Sequence, residues 1–320
     1  MKVGRGTKPI HIGSLIGSYE VSSVIGSGGM GVVYEAHHDD EWVAVKVLHP
    51  QRLDDTRARR RFRDETLAGQ LVHHRNVAQT LGDGEIAGVP YLIMERVHGE
   101  PLGAQLRRDG APSLRRAVTL IQQILAGLAA LHATGIVHGD VKSDNVLVEH
   151  ADDGAIRVLL IDLGLAHVQF GDRDEARRSD LEDGLISGTP EYMAPEIISG
   201  EGASMSSDLY AVGIVLYELI TGSTPFVGGT PNEIARRHLH DEVVPPSLRC
   251  DEEVPGSLDR IVLHALAKKP AQRFASAEAF SAALATTLPL VSDASSSRPT
   301  LHLSRDTPTL DWSPELGHAR

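Results

Sequence analysis

The sequence predicts an α+β chain in two lobes. A small antiparallel β-sheet lobe with one helix covers residues 19–97, and a larger, mainly α-helical lobe covers residues 98–284. Three observations predict it. Up to about residue 95, short β-branched runs separated by turn residues outnumber helical periods. After Gly99, apolar residues recur at three- and four-residue spacing. From residue 285 to Arg320 the chain turns rich in Ser, Thr and Pro and too poor in large apolar residues for a core.

Taken in order, residues 1–18 show no period and are expected to be a loose lead-in. Tyr19–Ile25 and Gly31–His37 flank a glycine cluster and read as a hairpin, and Glu41–Leu48 as a third strand. Asp55–Val72 is a polar helix whose Arg57, Arg59, Arg60, Arg61 and Arg63 read as a solvated face beside acidic neighbours. Tyr91–Glu95 is a buried strand. Ser113 caps the next helix, along which Leu114, Val118, Ile121, Leu125, Leu128 and Leu131 form one apolar stripe. Val146–Val148 and Val158–Ile161 are short strands. Leu209–Ile220 is apolar nearly throughout and belongs at the centre of the helical lobe, which Leu258–Leu266 and Glu278–Leu284 close. Residues 285–320 are expected to form a disordered tail.

Composition excludes several classes. Hydrophobic residues at 41% and charged residues at 23% fit a folded chain. The formal charge of −12 argues against a whole-chain nucleic-acid binder, which needs a basic surface. A single cysteine, Cys250, excludes an internal disulfide and a cysteine-rich zinc site and fits a reducing compartment. His73-His74 lacks a third ligand at zinc-like spacing. No apolar run approaching the roughly 18 residues of a membrane span is read, and the basic start lacks the apolar core of a signal peptide. The expectation is a cytoplasmic protein with no nucleic-acid and no membrane partner.

Gly26-Ser27-Gly28-Gly29-Met30-Gly31 matches G-x-G-x-x-G, a string shared with Rossmann units and ordinary turns. Here Val32-Val33-Tyr34 follows, a β-type run and not a helix. The glycines then let a hairpin tip bring backbone N–H groups close to phosphates. Lys46 lies inside an apolar strand, where its charge needs a partner. Glu65 on the next helix is the candidate, with Asp64 as its rival. His138-Gly139-Asp140-Val141-Lys142-Ser143-Asp144-Asn145 follows the amphipathic helix, and Asp162-Leu163-Gly164 follows Val158–Ile161. Two carboxylates and an amide beside short apolar strands suit a hard cation with oxygen ligands. Phosphoryl transfer needs such a cation on the phosphates and a carboxylate to orient the attacking hydroxyl.

These motifs, with Gly188-Thr189-Pro190-Glu191-Tyr192-Met193-Ala194-Pro195-Glu196, Ser207-Asp208 and Lys269-Pro270-Ala271-Gln272-Arg273-Phe274, occur in one order over Tyr19–Leu284. In that order the chain resembles the bacterial eukaryotic-like (Hanks-type) serine/threonine protein kinases. The resemblance implies the two-lobed protein kinase-like fold, with ATP and Mg²⁺ (or Mn²⁺) as cofactors and the Ser/Thr hydroxyls of proteins as acceptors. It implies that Lys46 holds the α- and β-phosphates and pairs with Glu65. Asp140 becomes the catalytic base, Lys142 touches the γ-phosphate, and Asn145 and Asp162 bind the metal. Ile25, Gly26, Ser27, Gly28, Gly29, Met30, Gly31, Val33, Ala44 and Leu147 would enclose the nucleotide. Met94 would back the adenine pocket, and Glu95 and Val97 would offer it backbone groups. Thr189 would lie in a substrate-docking loop. Glu196 with Arg273, and Asp208 beneath the catalytic loop, would be structural.

The sequence departs from that family in places. Gly139 stands where many members carry arginine, Ser143 replaces a frequent proline, and Leu163 replaces a phenylalanine. Glu149–Ala155 lengthens a hairpin with acidic residues. Arg173, Arg177, Arg178, Ser179 and Ser187 are candidates for an activation segment ordered by phosphorylation. In the tail, Thr307 and Thr309 are candidate sites for a phospho-reading partner. His138-Gly139-Asp140 also resembles small-molecule phosphotransferases of the aminoglycoside and choline type, and a pseudokinase scaffold is a third reading. The segment from Gly188 to Glu196 favours a protein substrate over the former, and the retained Lys46, Glu65, Asp140, Asn145 and Asp162 weigh against the latter.

Overall fold

The computed structural model describes residues 10–150, 154–163, 167–168, 189–250 and 253–291. In the small lobe the β-branched runs pair antiparallel. β1 (Leu15–Ile16), β2 (Tyr19–Ser27), β3 (Gly31–His38), β4 (Glu41–Leu48), β5 (Thr80–Ile86) and β6 (Val89–Glu95) make one sheet, ordered β1-β2-β3-β4-β6-β5. β4 has neighbours on both sides, and every residue from Val43 to Leu48 is buried. Side chains alternate across a strand, so Val43, Val45 and Val47 take one face and Ala44 and Lys46 the other. Cross-strand pairing sets Val33 and Leu92 opposite Lys46 and Met94 opposite Ala44, which gathers them on the face carrying the lysine. α1 (Thr56–Leu71) begins at Asp55, whose carboxylate accepts from Arg57 N at 3.0 Å and Ala58 N at 3.1 Å.

The helical lobe holds α2 (Leu102–Asp109), α3 (Leu114–Ala133), α4 (Pro195–Ile198), α5 (Met205–Thr221), α6 (Pro231–His240), α7 (Gly256–Ala265) and α8 (Ala277–Ala285). Ser113 caps α3 as expected, accepting from Arg116 N at 3.3 Å. By length and apolarity α3 is the one described helix that passes as a membrane span, contrary to the expectation that no apolar run approaches that length. Its stripe from Leu114 to Leu131 is instead buried among α5 and α8. α5 is buried from Ser207 to Ile220 except at Glu218, because other helices surround it. β7 (Gly99–Pro101), β9 (Val146–His150) and β10 (Ile156–Leu160) form a small sheet, and β8 (Ile136–Val137) pairs with β11 (His167–Val168).

Two contacts stitch the architecture together. The loop after α1 docks on β10: Asn76 Nδ2 donates to Val158 O at 2.6 Å, Ala78 N to Leu160 O at 2.9 Å, and Leu160 N to Asn76 O at 2.9 Å. In the helical lobe, Arg273 places all five N–H groups. It donates to Glu196 Oε1 and Oε2 at 2.7 Å each, Ser206 O at 3.0 Å, Lys268 O at 3.1 Å and Ala267 O at 2.8 Å.

Two boundary expectations are corrected. The lead-in is not loose at its end, because β1 pairs with β2 and Ile16 is fully buried. The tail does not begin at residue 285. Thr287 and Val291 are buried, and Arg115 Nη2 donates to Val291 O at 3.1 Å, because apolar Leu288–Val291 finds a surface on the helical lobe. Thr307 and Thr309, and likewise Arg173, Arg177, Arg178, Ser179 and Ser187, lie outside the described residues.

Candidate active site

Lys46 reaches across the cleft from β4. Its Nζ donates to Glu65 Oε1 at 2.7 Å, Glu65 Oε2 at 2.8 Å and Asp162 Oδ1 at 2.7 Å. The rivalry between Glu65 and Asp64 is thereby decided: one residue step rotates the helix by about 100°, and Asp64 instead faces outward toward Arg60, at 3.7 Å. Burial alone would lower the Lys46 ammonium, but the charges of Glu65 and Asp162 outweigh it and hold the lysine protonated. Burial pushes Glu65 up against the pull of Lys46. Burial also pushes Asp162 up, yet the Lys46 charge and hydrogen bond prevail and leave it below the ordinary carboxylate value. Asp162 adopts φ 62°, a left-handed backbone that carries strain and brings the carboxylate to the lysine.

The loop that carries Asp140, Lys142 and Asn145 is held from below by α5. Asp208 accepts from His138 N, Gly139 N and His132 Nε2, each at 2.9 Å. Gly139 has φ +77°, a conformation that glycine takes without strain, where the family's usual arginine would not. Lys142 Nζ lies 2.6 Å from Asp140 Oδ2, and Asn145 Nδ2 donates to Asp140 O and to Oδ2, each at 2.9 Å. Both amide hydrogens of Asn145 are thus spent on Asp140, which leaves its Oδ1 as an acceptor.

The strands above close the cleft. Gly31 runs so near β4 that a Cβ there would lie 2.2 Å from Val47 O, while Cβ atoms on Gly28 or Gly29 would meet nothing within 4 Å. Gly28 N donates to Gly31 O at 3.0 Å, which folds the loop of Gly26, Ser27, Gly28, Gly29 and Met30 into a tight tip. Ile25 is exposed at its edge. Val33, Ala44 and Met94 share the lysine's face, as the register dictates. Leu147, half-buried between buried Val146 and Val148, points away from the helical core. At the crossing between lobes, Glu95 N donates to Gln79 O at 2.9 Å, so only its carbonyl is left for a ligand; Val97 is buried two residues on.

Three contacts of this site escaped sequence reading. His49, one residue beyond β4, has Nε2 2.9 Å from Gly28 O and so ties down the glycine tip. A brace supports the crossing: Arg157 Nη2 donates to Glu95 Oε2 at 3.2 Å, Arg157 Nη1 lies 3.5 Å from Glu149 Oε2, and Glu149 Oε1 accepts from His98 N at 3.2 Å. The lengthened hairpin therefore has a use at its base, where Glu149 and Arg157 pair across β9 and β10. Finally, Ser143 and Glu218 both bond the Tyr192 hydroxyl. Local pattern carries no trace of these, because each joins segments far apart in the chain.

The donor set fits Mg²⁺. Asp162 is half-exposed, and among the described residues only Lys46 bonds its carboxylate, at Oδ1, while Asn145 Oδ1 is an acceptor only. Both are hard oxygen donors of the kind that cation takes. The open space over Gly28 and Gly29 and the protonated Lys46 suit a polyphosphate.

A model of the protein kinase domain family matches residues 19–284. The chain is 37% identical over 279 residues to serine/threonine-protein kinase pkn3 of Myxococcus xanthus, covering 86% of this chain and 51% of that protein. It is 35% identical over 272 residues to serine/threonine-protein kinase PrkC of Bacillus subtilis, covering 84% of this chain and 40% of that protein. It thus spans about half, or less, of the length of these curated relatives. Among solved structures, the PknI kinase domain of Mycobacterium tuberculosis superposes with a TM-score of 0.66 at 25% identity, over 87% of this chain and 99% of that one.

Proposed function

The chain belongs to the protein kinase family, and from that membership we propose that it transfers the γ-phosphoryl group of ATP to Ser and Thr hydroxyls of proteins. The observation that carries the reading is the convergence of two charged groups on one cleft. Lys46 donates to both Glu65 and Asp162 above, and Lys142 and Asn145 both donate to Asp140 below.

The roles follow from the donors and acceptors. Lys46, fixed by two carboxylates, presents its charge to the α- and β-phosphates. Both side-chain partners of Asp140 hold Oδ2, so Oδ1 is the oxygen that takes the acceptor's hydroxyl proton. Lys142, already at Asp140, brings a cation beside the transferring group. Asn145 Oδ1 and Asp162 hold Mg²⁺, which supplies positive charge against the phosphates when bound. The Glu95 carbonyl and Val97 backbone orient the purine under Met94. Ser and Thr are preferred to Tyr as acceptors on the resemblance of Lys142 and of Gly188–Glu196 to that branch of the family. In the tail, Thr307 and Thr309 serve a phospho-reading partner; loss of that partner's binding in Thr307→Ala, Thr309→Ala protein tests this.

The test is phosphosite mapping after incubation with ATP, Mg²⁺ and a protein acceptor, with Asp140→Asn as control. Phosphoserine and phosphothreonine that vanish in the control are expected. Transfer only to small-molecule hydroxyls, or nucleotide binding without turnover, would overturn the proposal.

A further inference from the structure

Ser143 has no part in the mechanism above, although it lies three residues from Asp140 and is almost completely buried. Its backbone does not ask for serine. Lys142 before it is extended, at φ −159° and ψ 163°, and Ser143 opens a 3₁₀ turn, so proline would fit the chain here. What the serine adds is its hydroxyl, which lies 3.0 Å from Tyr192 Oη.

The direction of that hydrogen bond can be worked out. Tyr192 Oη is 2.7 Å from Glu218 Oε2, a carboxylate that only accepts. Burial, and then the Glu218 charge, push the Tyr192 phenol up, so it keeps its single proton and gives it to Glu218. The Ser143 hydroxyl must therefore donate to Tyr192. The chain Ser143 to Tyr192 to Glu218 joins the catalytic loop, the loop Thr189–Ala194 and α5, three segments that sequence separates widely. Tyr192 needs the support. The turn it ends is held by long backbone bonds, Tyr192 N to Thr189 O at 3.2 Å and Met193 N to Pro190 O at 3.3 Å. On the α2 side the hydroxyl faces Gly103, where an added Cβ would sit 2.9 Å from it, so the glycine leaves the serine its place.

We propose that Ser143 is a positioning residue for the protein acceptor. Its hydroxyl locks Tyr192, and through Tyr192 the docking loop, at a set distance from Asp140. This rests on the kinase reading above. The lock lies on the acceptor side of the catalytic loop, and Lys46, Glu65 and the glycine tip are not part of it. It therefore acts on acceptor affinity and leaves ATP affinity alone.

The experiment compares Ser143→Pro, Ser143→Ala, Tyr192→Phe and Ser143→Pro/Tyr192→Phe in steady-state kinetics with dephosphorylated casein and ATP. Amide exchange at Tyr192 and Met193 is measured in parallel. One buried hydrogen bond corresponds to a rise of about two- to tenfold in KM for casein. The KM for ATP should stay within about twofold. Because Ser143 acts through Tyr192, the double variant should match Tyr192→Phe alone, and exchange at Tyr192 and Met193 should quicken in each of the three single variants. Additive effects, equal shifts in both KM values, or unchanged casein KM with unchanged exchange would each overturn the proposal. Absence of Asp140-dependent transfer in the wild-type chain would instead overturn the kinase reading itself.

Discussion

Replacing Lys46 by Met separates what the lysine does for chemistry from what it does for the fold. Met keeps the stem's bulk and removes the ammonium. The three hydrogen bonds to Glu65 and Asp162 go with it. The two acids respond differently. Asp162 has a side chain 44% exposed and rehydrates, so losing that pair costs about 1 kcal/mol or less. Glu65 is 3% exposed and cannot. Stripping one partner from a buried pair costs about 3–5 kcal/mol. Glu65 relieves part of this by taking a proton, which burial already favours. We expect Lys46→Met to be folded at pH 7, destabilised by about 3 kcal/mol, and reduced at least about a hundredfold in phosphoryl transfer.

Without the lysine, nothing opposes the rise of the Glu65 carboxyl. Its folded-state value, already above its unfolded value, rises further, so the deficit narrows as pH falls toward the ordinary carboxylate range. The gain is at most about 1.4 kcal/mol per pH unit. Lys46→Met/Glu65→Leu removes both charges from the buried site and should return to within about 1 kcal/mol of wild type while staying inactive. Urea unfolding at constant m-value reads the stabilities, and phosphate transfer to casein reads the activity. A single variant as stable as wild type, a double variant no better than the single, or wild-type turnover in either would refute the argument.

Three further outcomes follow from other contacts. Asp162→Ala should abolish Mg²⁺-dependent ATP binding in calorimetry, because the amide of Asn145 cannot supply the lost anionic ligand; unchanged affinity and metal dependence would move the ligand elsewhere. Arg273→Met leaves Glu196 buried without its cation and strands the carbonyls of Ser206, Ala267 and Lys268, so thermal unfolding should fall by about 10 °C, equivalent to about 3–5 kcal/mol. His238 is fully buried, has Nδ1 2.8 Å from Tyr210 Oη, and is pushed down to about 3 by burial and then by the Lys268 charge. The folded chain keeps it neutral while the unfolded chain protonates it below about pH 6.5. Its share of stability is therefore full above that pH and falls by about 1.4 kcal/mol per unit on acidification toward pH 3, a slope that His238→Phe should remove in urea titrations.

Much of the site was legible because its chemistry demands particular residue types in a particular order. A lysine in an apolar strand breaks a local rule, which is visible in one dimension. The hairpin-tip glycines and the carboxylates after short strands are ordinary turn residues one by one, and were legible only through their joint order along the chain. The long helices were legible for the opposite reason. The stripe from Leu114 to Leu131 and the run Leu209–Ile220 obey one period over many residues. β5 was not legible. Thr80–Ile86 is polar and carries Gly82 and Gly84, and it becomes a strand because β6 offers it an edge and the Tyr91 ring fills the space over Gly84. A Cβ there would lie 2.4 Å from Tyr91 Oη, so the glycine that weakens the strand signal is what the packing requires.

Identity and order of the candidate groups were thus read from sequence alone, since they depend on side-chain chemistry and spacing along the chain. Partnership was set by the tertiary structure. Whether Glu65 or Asp64 meets Lys46 turns on one residue step around α1, and on which side of that helix the sheet lies. The same holds for Arg157 bracing Glu95, 62 residues away, for His49 on the glycine tip, and for Ser143 on Tyr192, 49 residues away. It holds as well for Val291, which a composition typical of a tail did not keep off the helical lobe. A hydrogen bond across such separations requires two backbones to be fixed in space first. Only the packed core, with its many small apolar contacts summed over both lobes, fixes them.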